Sequence, residues 1–323
     1  MIKRVRIMDI PNERSSHDVP VPKSGGIAIV AAFVVGLVAL WFFADNTLFA
    51  KNFFPAFVFA SLFVAAVSFY DDLYDISPSV RLASQVVAAV AVMMFGLTIC
   101  QINMPGVGPV RLGFWGYGIT LIWVVGLTNA YNFMDGINGL AGGTAVITCF
   151  FFSIVTFTLG SSFTYLITYS LMAGTLGFVV FNFPTGRLFM GNVGSTFLGF
   201  VLAALAIVAA FHDPSHTSLF VMPLLLFHFI YDTFFTFVRR LIKGENVFAA
   251  HRSHLYQLFN RLGHSHTTVS AFYFAMGIAQ GFGAWKISGI SGGSRAWVFV
   301  PYIAFQIIYS IVITRKAKKA NLI

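Results

Sequence analysis

Five polar blocks stand out in an otherwise apolar chain, and their residue types suit phosphate and metal chemistry. The first to consider is Asp71-Asp72-Leu73-Tyr74-Asp75. Adjacent carboxylates repel, so one is driven toward protonation unless a cation or donor offsets the charge. A hard cation such as Mg²⁺ answers that need with carboxylate oxygens and substrate phosphate. On a helix, Asp71 and Asp75 share a face. Arg81, a short distance on, suits either a phosphate or the membrane interface, and a solvated acidic cap is the plain alternative for the whole block. The second block runs from Asn129 to Gly143, with Asn129, Asn132 and Asp135 recurring every third residue as one polar stripe, followed by Asn138. Amide oxygens can coordinate Mg²⁺ and amide nitrogens can donate to sugar or base groups, while helix capping and a turn explain the same residues more plainly. Met190 to Ser195 reads as a glycine-rich helix start whose free N–H groups can face an anion, although such entries are common in membrane helices. The block His251-Arg252-Ser253-His254, followed by His264 and His266, places an arginine fork between two histidines, which suits a diphosphate. Zinc would need further ligands that the neighbourhood lacks, and a solvated basic loop is the bland reading.

The elements that must hold these blocks are membrane helices. Of 323 residues, 58% are hydrophobic and 10% charged, against about a quarter charged in soluble domains. Apolar stretches near 25–44, 52–70, 80–99, 115–134, 139–159, 162–182, 193–211, 217–238, 269–287 and 296–314 are each close to the ~20 residues that cross a bilayer as helix. In lipid, backbone polar groups must be satisfied within the segment, and a barrel would need shorter alternating strands. The expected fold is therefore an all-α polytopic bundle of about ten transmembrane helices in a single domain, 1–323. It comprises a cytoplasmic N-terminal segment, 1–24, and a cytoplasmic basic loop, 239–268. The N-terminus lacks the pattern of a secretory signal. With both termini cytoplasmic, sixteen of the twenty lysines and arginines fall inside, as the retention of positive charge predicts. The net charge of +9 is thus a topology signal and gives no reason to expect nucleic acid. The same count puts every polar block inside and leaves short, plain outer loops. Cys100 and Cys149 read as small buried hydrophobes. His228 reads as a packing histidine, Asp232 as a proton relay or a partner of the basic cluster, and the 38 phenylalanines as core and lipid contact.

Taken together, the blocks resemble the polyprenyl-phosphate N-acetylhexosamine-1-phosphate transferases, the superfamily that includes phospho-MurNAc-pentapeptide transferase. The matching stretches are Asp9 to His17 with Pro22 to Gly26, then Asp71-Asp72, Asn129 to Gly143, Met190 to Ser195 and His251 to His254. Their order and spacing span most of the chain, and the first looks most like the bacterial O-antigen initiating branch. The resemblance implies transfer of an N-acetylamino-sugar-1-phosphate from a UDP-sugar to undecaprenyl phosphate, releasing UMP, as a first step of O-antigen or other cell-envelope glycan assembly. It implies a bacterial inner-membrane enzyme with its active site facing the cytoplasm, Mg²⁺ as cofactor with Mn²⁺ as the alternative ion, and a homodimer among the compatible assemblies. By position, Asp71, Asp72 and Asp135 take catalytic roles, Asn132 and Asn192 hold the metal, and Lys23, Arg81, Asn129, Asn138, His251, Arg252 and His254 bind substrate.

Two departures stand out. The family's Gly-Asp-x-Gly-Ser reads Gly191-Asn192-Val193-Gly194-Ser195 here. This removes one negative charge at the implied metal contact and fits an engineered inactivating change, a weaker metal site or a natural inactive copy. Most relatives also carry another membrane helix before the first motif. Two rival functions fit parts of the pattern. An intramembrane prenyltransferase would use an aspartate-rich block but needs a second one, which only Asp135 begins to supply. A lipid flippase or transporter would place its polar residues near the midplane, within repeated halves.

Overall fold

The computed structural model describes residues 8–9, 20–43, 51–161, 163–247, 249, 251–290 and 292–323. Most of the first motif, residues 10–19, lies outside the described residues. The chain is an all-α polytopic membrane protein. Among the described residues the helices are α1 (Gly25–Phe43), α2 (Phe53–Tyr74), α3 (Pro78–Met94), α4 (Trp115–Phe133), α5 (Leu140–Thr158) and α6 (Thr164–Asn182). They continue with α7 (Gly191–Phe211), α8 (Val221–Leu225), α9 (Phe227–Ile242), α10 (Leu255–Arg261), α11 (His266–Ser288) and α12 (Val300–Lys319), the last preceded by a 3-10 turn at Gly292–Phe299. Among the described residues, six helical segments are long and apolar enough to cross a membrane. Side chains such as Val35, Phe42, Phe43 and Ile308 stand exposed on α1 and α12, an arrangement that lipid tolerates and water penalises.

The helix α7 is buried almost along its whole length and forms the axis of the bundle, with α1, α2 and α4 against it. Small residues permit that closeness. A Cβ at Gly26 would come within 2.3 Å of the Gly194 backbone nitrogen, and one at Gly199 within 2.8 Å of the Thr128 Cα. The entries of α1 and α7 therefore meet backbone to backbone, which brings two of the motifs together.

Three expectations need correction. The eighth apolar stretch, 217–238, is two helices, α8 and α9, parted at Leu226, whose ψ of 16° leaves the helical range. The third stretch ends as helix at Met94, short of residue 99, because Gly96 turns the chain with φ +102°. Beyond it the connection to α4 is a β-hairpin, β3 (Gln101–Met104) with β4 (Gly108–Arg111), where a plain loop was expected. Numbered in chain order, these strands follow β1 (Met8–Asp9) and β2 (Val21–Pro22), which also pair antiparallel.

Candidate active site

Among the described residues, the polar groups of the motifs gather at one end of the bundle, where α2 and α4 finish and α1, α5 and α7 begin. The segment before α1 is pinned to the segment before α7 by three backbone bonds. Phe189 N donates to Pro22 O (2.8 Å), Gly25 N to Phe189 O (3.0 Å) and Gly26 N to Met190 O (2.9 Å). Gly191 then turns with φ +68°, a conformation that favours glycine. A Cβ there would press within 2.6 Å of the Asp72 carboxylate and 3.0 Å of the Lys23 carbonyl. Lys23, Asp72 and Gly191 are thus brought to one point.

The two aspartates serve α7 in different ways. The Asp72 carboxylate accepts the N–H groups of Asn192 and Val193, each at 3.1 Å, and so occupies the positive end of that helix. Asp71 is buried, and its Oδ2 accepts from Asn192 Nδ2 at 2.7 Å and from Arg81 at 3.2 Å. Its Oδ1 accepts the Ile76 N–H at 3.1 Å. Arg81 is delivered by α3, whose start is set by Ser77 as N-cap and Pro78 in the first turn. Asp75 takes no part in a shared helical face. It ends α2 in the left-handed region, φ 51°, with its N–H on the Asp71 carbonyl.

From Asn192 the polar chain passes to α4. Asn132 Nδ2 donates to Asn192 Oδ1 at 3.0 Å and to Ser195 Oγ at 2.8 Å. Asn129, one turn earlier, donates instead to Gln85 of α3 and to the Val125 carbonyl, so it ties α4 to α3. Asn138 lies beyond the stripe and donates to Pro184 O at 3.3 Å, while its own carbonyl receives Ser270 Oγ at 2.7 Å. Asp135 sits half-buried in the turn after α4, with its N–H on Asn132 O.

The histidine block docks on that same turn. Tyr256 Oη donates to Phe133 O at 3.0 Å, and a Cβ on Gly136 would lie 2.1 Å from that hydroxyl. The His254 ring stacks on Phe133, with centroids 5.9 Å apart, and lies 4.9 Å from the His251 ring. His251 Nδ1 accepts from the Ser253 N–H at 3.3 Å and is within 3.1 Å of its hydroxyl. Burial and the nearby His254, Arg240 and Arg239 push the His251 imidazole down to about 4, which favours its neutral form. Arg240 anchors the preceding loop through Glu245 (2.8 Å), Asn246 O (2.8 Å) and Ala249 O (3.1 Å), and Arg239 donates to the Ser253 carbonyl. Arg252 is half-buried in the middle of the block.

The structure therefore joins Lys23, Asp71, Asp72, Arg81, Asn132 and Asn192 in one cluster, with His254 and Tyr256 against the end of α4 that leads to Asp135, and His251 and Arg252 on the same loop. Asn129 and Asn138 stand to either side as ties between elements. Sequence reasoning passed over Gln85 and Tyr256 and gave Ser195 no role of its own within its motif, while Asp232 pairs with His254 of the basic loop, one of the two readings given for it. A buried amide or hydroxyl in an apolar helix was the available signal.

Whether the cluster suits a hard cation can be judged from its donors. Carboxylates and amide oxygens, free of sulfur and imidazole, are the ligand class that Mg²⁺ takes. No three His, Cys, Asp or Glu side chains converge among the described residues, so amide and substrate oxygens would have to complete the shell. Asn192 now turns its amide nitrogen to Asp71 and its oxygen to Asn132. The residues fit the ion in type, with Asn192 as the weak member.

Comparison with known proteins places these residues in context. Residues 54–210 match the model of a family described as glycosyl transferase family 4. The chain is 31% identical over 259 residues to an undecaprenyl-phosphate alpha-N-acetylglucosaminyl 1-phosphate transferase from Thermotoga maritima, covering 80% of this chain and 75% of that one. It is 28% identical over 271 residues to a probable undecaprenyl-phosphate N-acetylglucosaminyl 1-phosphate transferase from Bacillus subtilis, covering 82% and 74%. A phospho-N-acetylmuramoyl-pentapeptide-transferase from Streptococcus pneumoniae matches at 32% over 193 residues, 57% of this chain and 58% of that one.

Proposed function

Since this chain belongs to glycosyl transferase family 4, we propose that it transfers N-acetylglucosamine-1-phosphate, or a closely related N-acetylamino-sugar phosphate, from its UDP derivative to undecaprenyl phosphate. A phosphate oxygen of the lipid attacks the β-phosphorus of the UDP-sugar. A new P–O–P bond forms as the bond to the bridging oxygen breaks, and UMP leaves. The acceptor is already anionic at neutral pH, so the protein's task is positioning and neutralisation of charge.

The reading is supported by one observation above the rest: Asp71, Asp72, Asn192 and Asn132 form a continuous hydrogen-bonded chain at a single end of a membrane bundle. A lipid phosphate reaching that depth from the bilayer would meet Arg81 and Lys23. A diphosphate would extend toward Arg252, His251 and His254, where the arginine supplies a planar fork and His251 a neutral N–H. Asp135 and Asn138 stand on the turn between, within the span of a nucleotide or sugar. Mg²⁺ bound by Asp71, Asp72, Asn132 and position 192 would neutralise charge on the diphosphate. We place the site on the cytoplasmic face of the bacterial inner membrane, following the lysine and arginine distribution.

Full-length protein in vesicles containing undecaprenyl phosphate should convert UDP-N-acetylglucosamine to UMP and lipid-diphosphate-sugar in equal amounts, with dependence on Mg²⁺. Release of free diphosphate, or nucleotide consumption without a lipid product, would refute the assignment.

A further inference from the structure

The carboxylate of Asp232 is 1% exposed, deep under the histidine block and outside the cluster around Asp71. It collects five hydrogen bonds. The donors are His254 Nδ1 at 3.2 Å, Leu255 N at 2.8 Å, Tyr256 N at 3.1 Å, Tyr273 Oη at 3.1 Å and Thr236 Oγ1 at 3.2 Å. These come from α9 itself, from α11 and from the loop that carries the histidines. Two of the N–H groups are the first of α10, so a residue more than twenty positions earlier acts as that helix's remote cap. Gln257 Oε1 accepts the His254 N–H at 3.1 Å, which ties the same turn from its other side.

An ionised or hydrogen-bond-accepting carboxylate facing Nδ1 requires a proton on that nitrogen. With Nδ1 turned inward onto Asp232, the other ring nitrogen, Nε2, lies across the ring, on the edge away from that carboxylate. The neighbouring His251 has the opposite arrangement. Its Nδ1 accepts from the Ser253 N–H, which leaves its proton on Nε2. Two adjacent imidazoles thus present unlike edges: His251 offers an N–H, and His254 offers a lone pair.

We propose that Asp232 is the positioning residue of the site, a buried carboxylate that fixes His254 as its Nδ1–H form and aims Nε2 toward the ligand while it caps α10. This deepens the transferase reading above, and its role in turnover rests on that reading. Asp232 itself touches no substrate. It acts through His254, and this separates it from a carboxylate that only holds the fold.

Two readouts test the proposal on full-length protein. In the first, ¹⁵N-histidine NMR of the detergent-solubilised chain, with His254 assigned by its loss in His254→Gln, should show a protonated Nδ1 and an unprotonated Nε2 at neutral pH. Asp232→Asn should mix or reverse that pattern, and Asp232→Glu should restore it. Wild-type protein with the His254 proton on Nε2 would overturn the proposal, even if the Asn variant failed to fold. In the second, Asp232→Asn should lower transfer roughly 10- to 100-fold, the range for loss of a partner that orients a functional histidine. Combining it with His254→Gln should cost nothing beyond His254→Gln alone. Additive losses would mean that Asp232 works independently of His254 and would also overturn the proposal. A wild-type chain that transferred no sugar phosphate would sink the functional reading and leave the NMR result to decide the positioning role.

Discussion

Two buried aspartates at opposite ends of the bundle show how differently a carboxylate can be used in this chain. Asp213, at the end away from the motifs, is 1% exposed and accepts from Ser161 Oγ (2.9 Å), Thr164 Oγ1 (2.7 Å), Thr164 N (3.2 Å) and Ser215 N (2.9 Å). These partners are neutral, and they tie the α5–α6 connection to the segment after α7. Asp71 is equally buried but shares one oxygen between an amide and a partly exposed arginine, next to a second carboxylate. Neutral local donors make a carboxylate a fastener. A carboxylate whose charge is balanced by a partly exposed arginine and a rotatable amide can instead exchange those partners for a ligand. The account therefore predicts that equivalent changes at the two ends differ in kind.

The largest effect is expected at Asp71. Asp71→Asn should reduce transfer on the order of 100- to 1,000-fold, as loss of a preorganised charge contact does elsewhere, with little change in the thermal unfolding midpoint. Gly191→Ala comes next. Its Cβ would press on the Asp72 carboxylate and the Lys23 carbonyl, and the positive φ adds strain of about 1–3 kcal/mol. Both transfer and thermal stability should fall.

Asn192→Asp should act in the opposite direction. It replaces an amide that occupies the Asp71 oxygen with a further negative oxygen for the cation, and Mg²⁺-dependent turnover should rise about tenfold, the effect of about 1.4 kcal/mol. Equal or lower turnover in the aspartate form would remove position 192 from the proposed metal site.

Asp213→Asn should leave the apparent affinity for the UDP-sugar unchanged. Its cost should appear as stability, about 1–3 kcal/mol for donors left poorly satisfied. A loss of turnover with unchanged stability there would erase the distinction between the two ends.

The smallest effect concerns His251. Its folded value near 4 lies below the ordinary value of 6.5, so the unfolded chain binds more protons between those limits. The stability contributed is complete above about pH 6.5 and declines as pH falls toward 4. The unfolding midpoint should drop from pH 7 to pH 5, and should drop less in His251→Gln.

The residues that sequence made legible are those whose chemistry is conspicuous in an apolar background. Asp71, Asp72, Asn132 and the Gly191 turn were identifiable because charge, amides and glycine are costly or unusual in membrane helices. Backbone and side-chain bonds then join them at one end of the bundle. Asp75 escaped that reasoning because the helix ends beneath it, a boundary set by its own left-handed φ. The break at Leu226 escaped it because hydropathy measures apolar length and is blind to ladder interruptions. Asp232 was visible, but its partners were not. A carboxylate that caps a helix more than twenty residues downstream leaves no periodic trace, since only the packing of α9 beneath α10 brings the groups together.

The central claim is that the Asp71 cluster and the histidine block receive one diphosphate between them, with a divalent cation at the Asp71 side. Calorimetric titration of UDP-N-acetylglucosamine into the solubilised full-length protein tests it directly. Binding should tighten when Mg²⁺ is added, and that gain should vanish in Asp71→Asn while Arg252→Ala weakens binding with or without the ion. Affinity indifferent to Mg²⁺, to Asp71 and to Arg252 alike would contradict the claim.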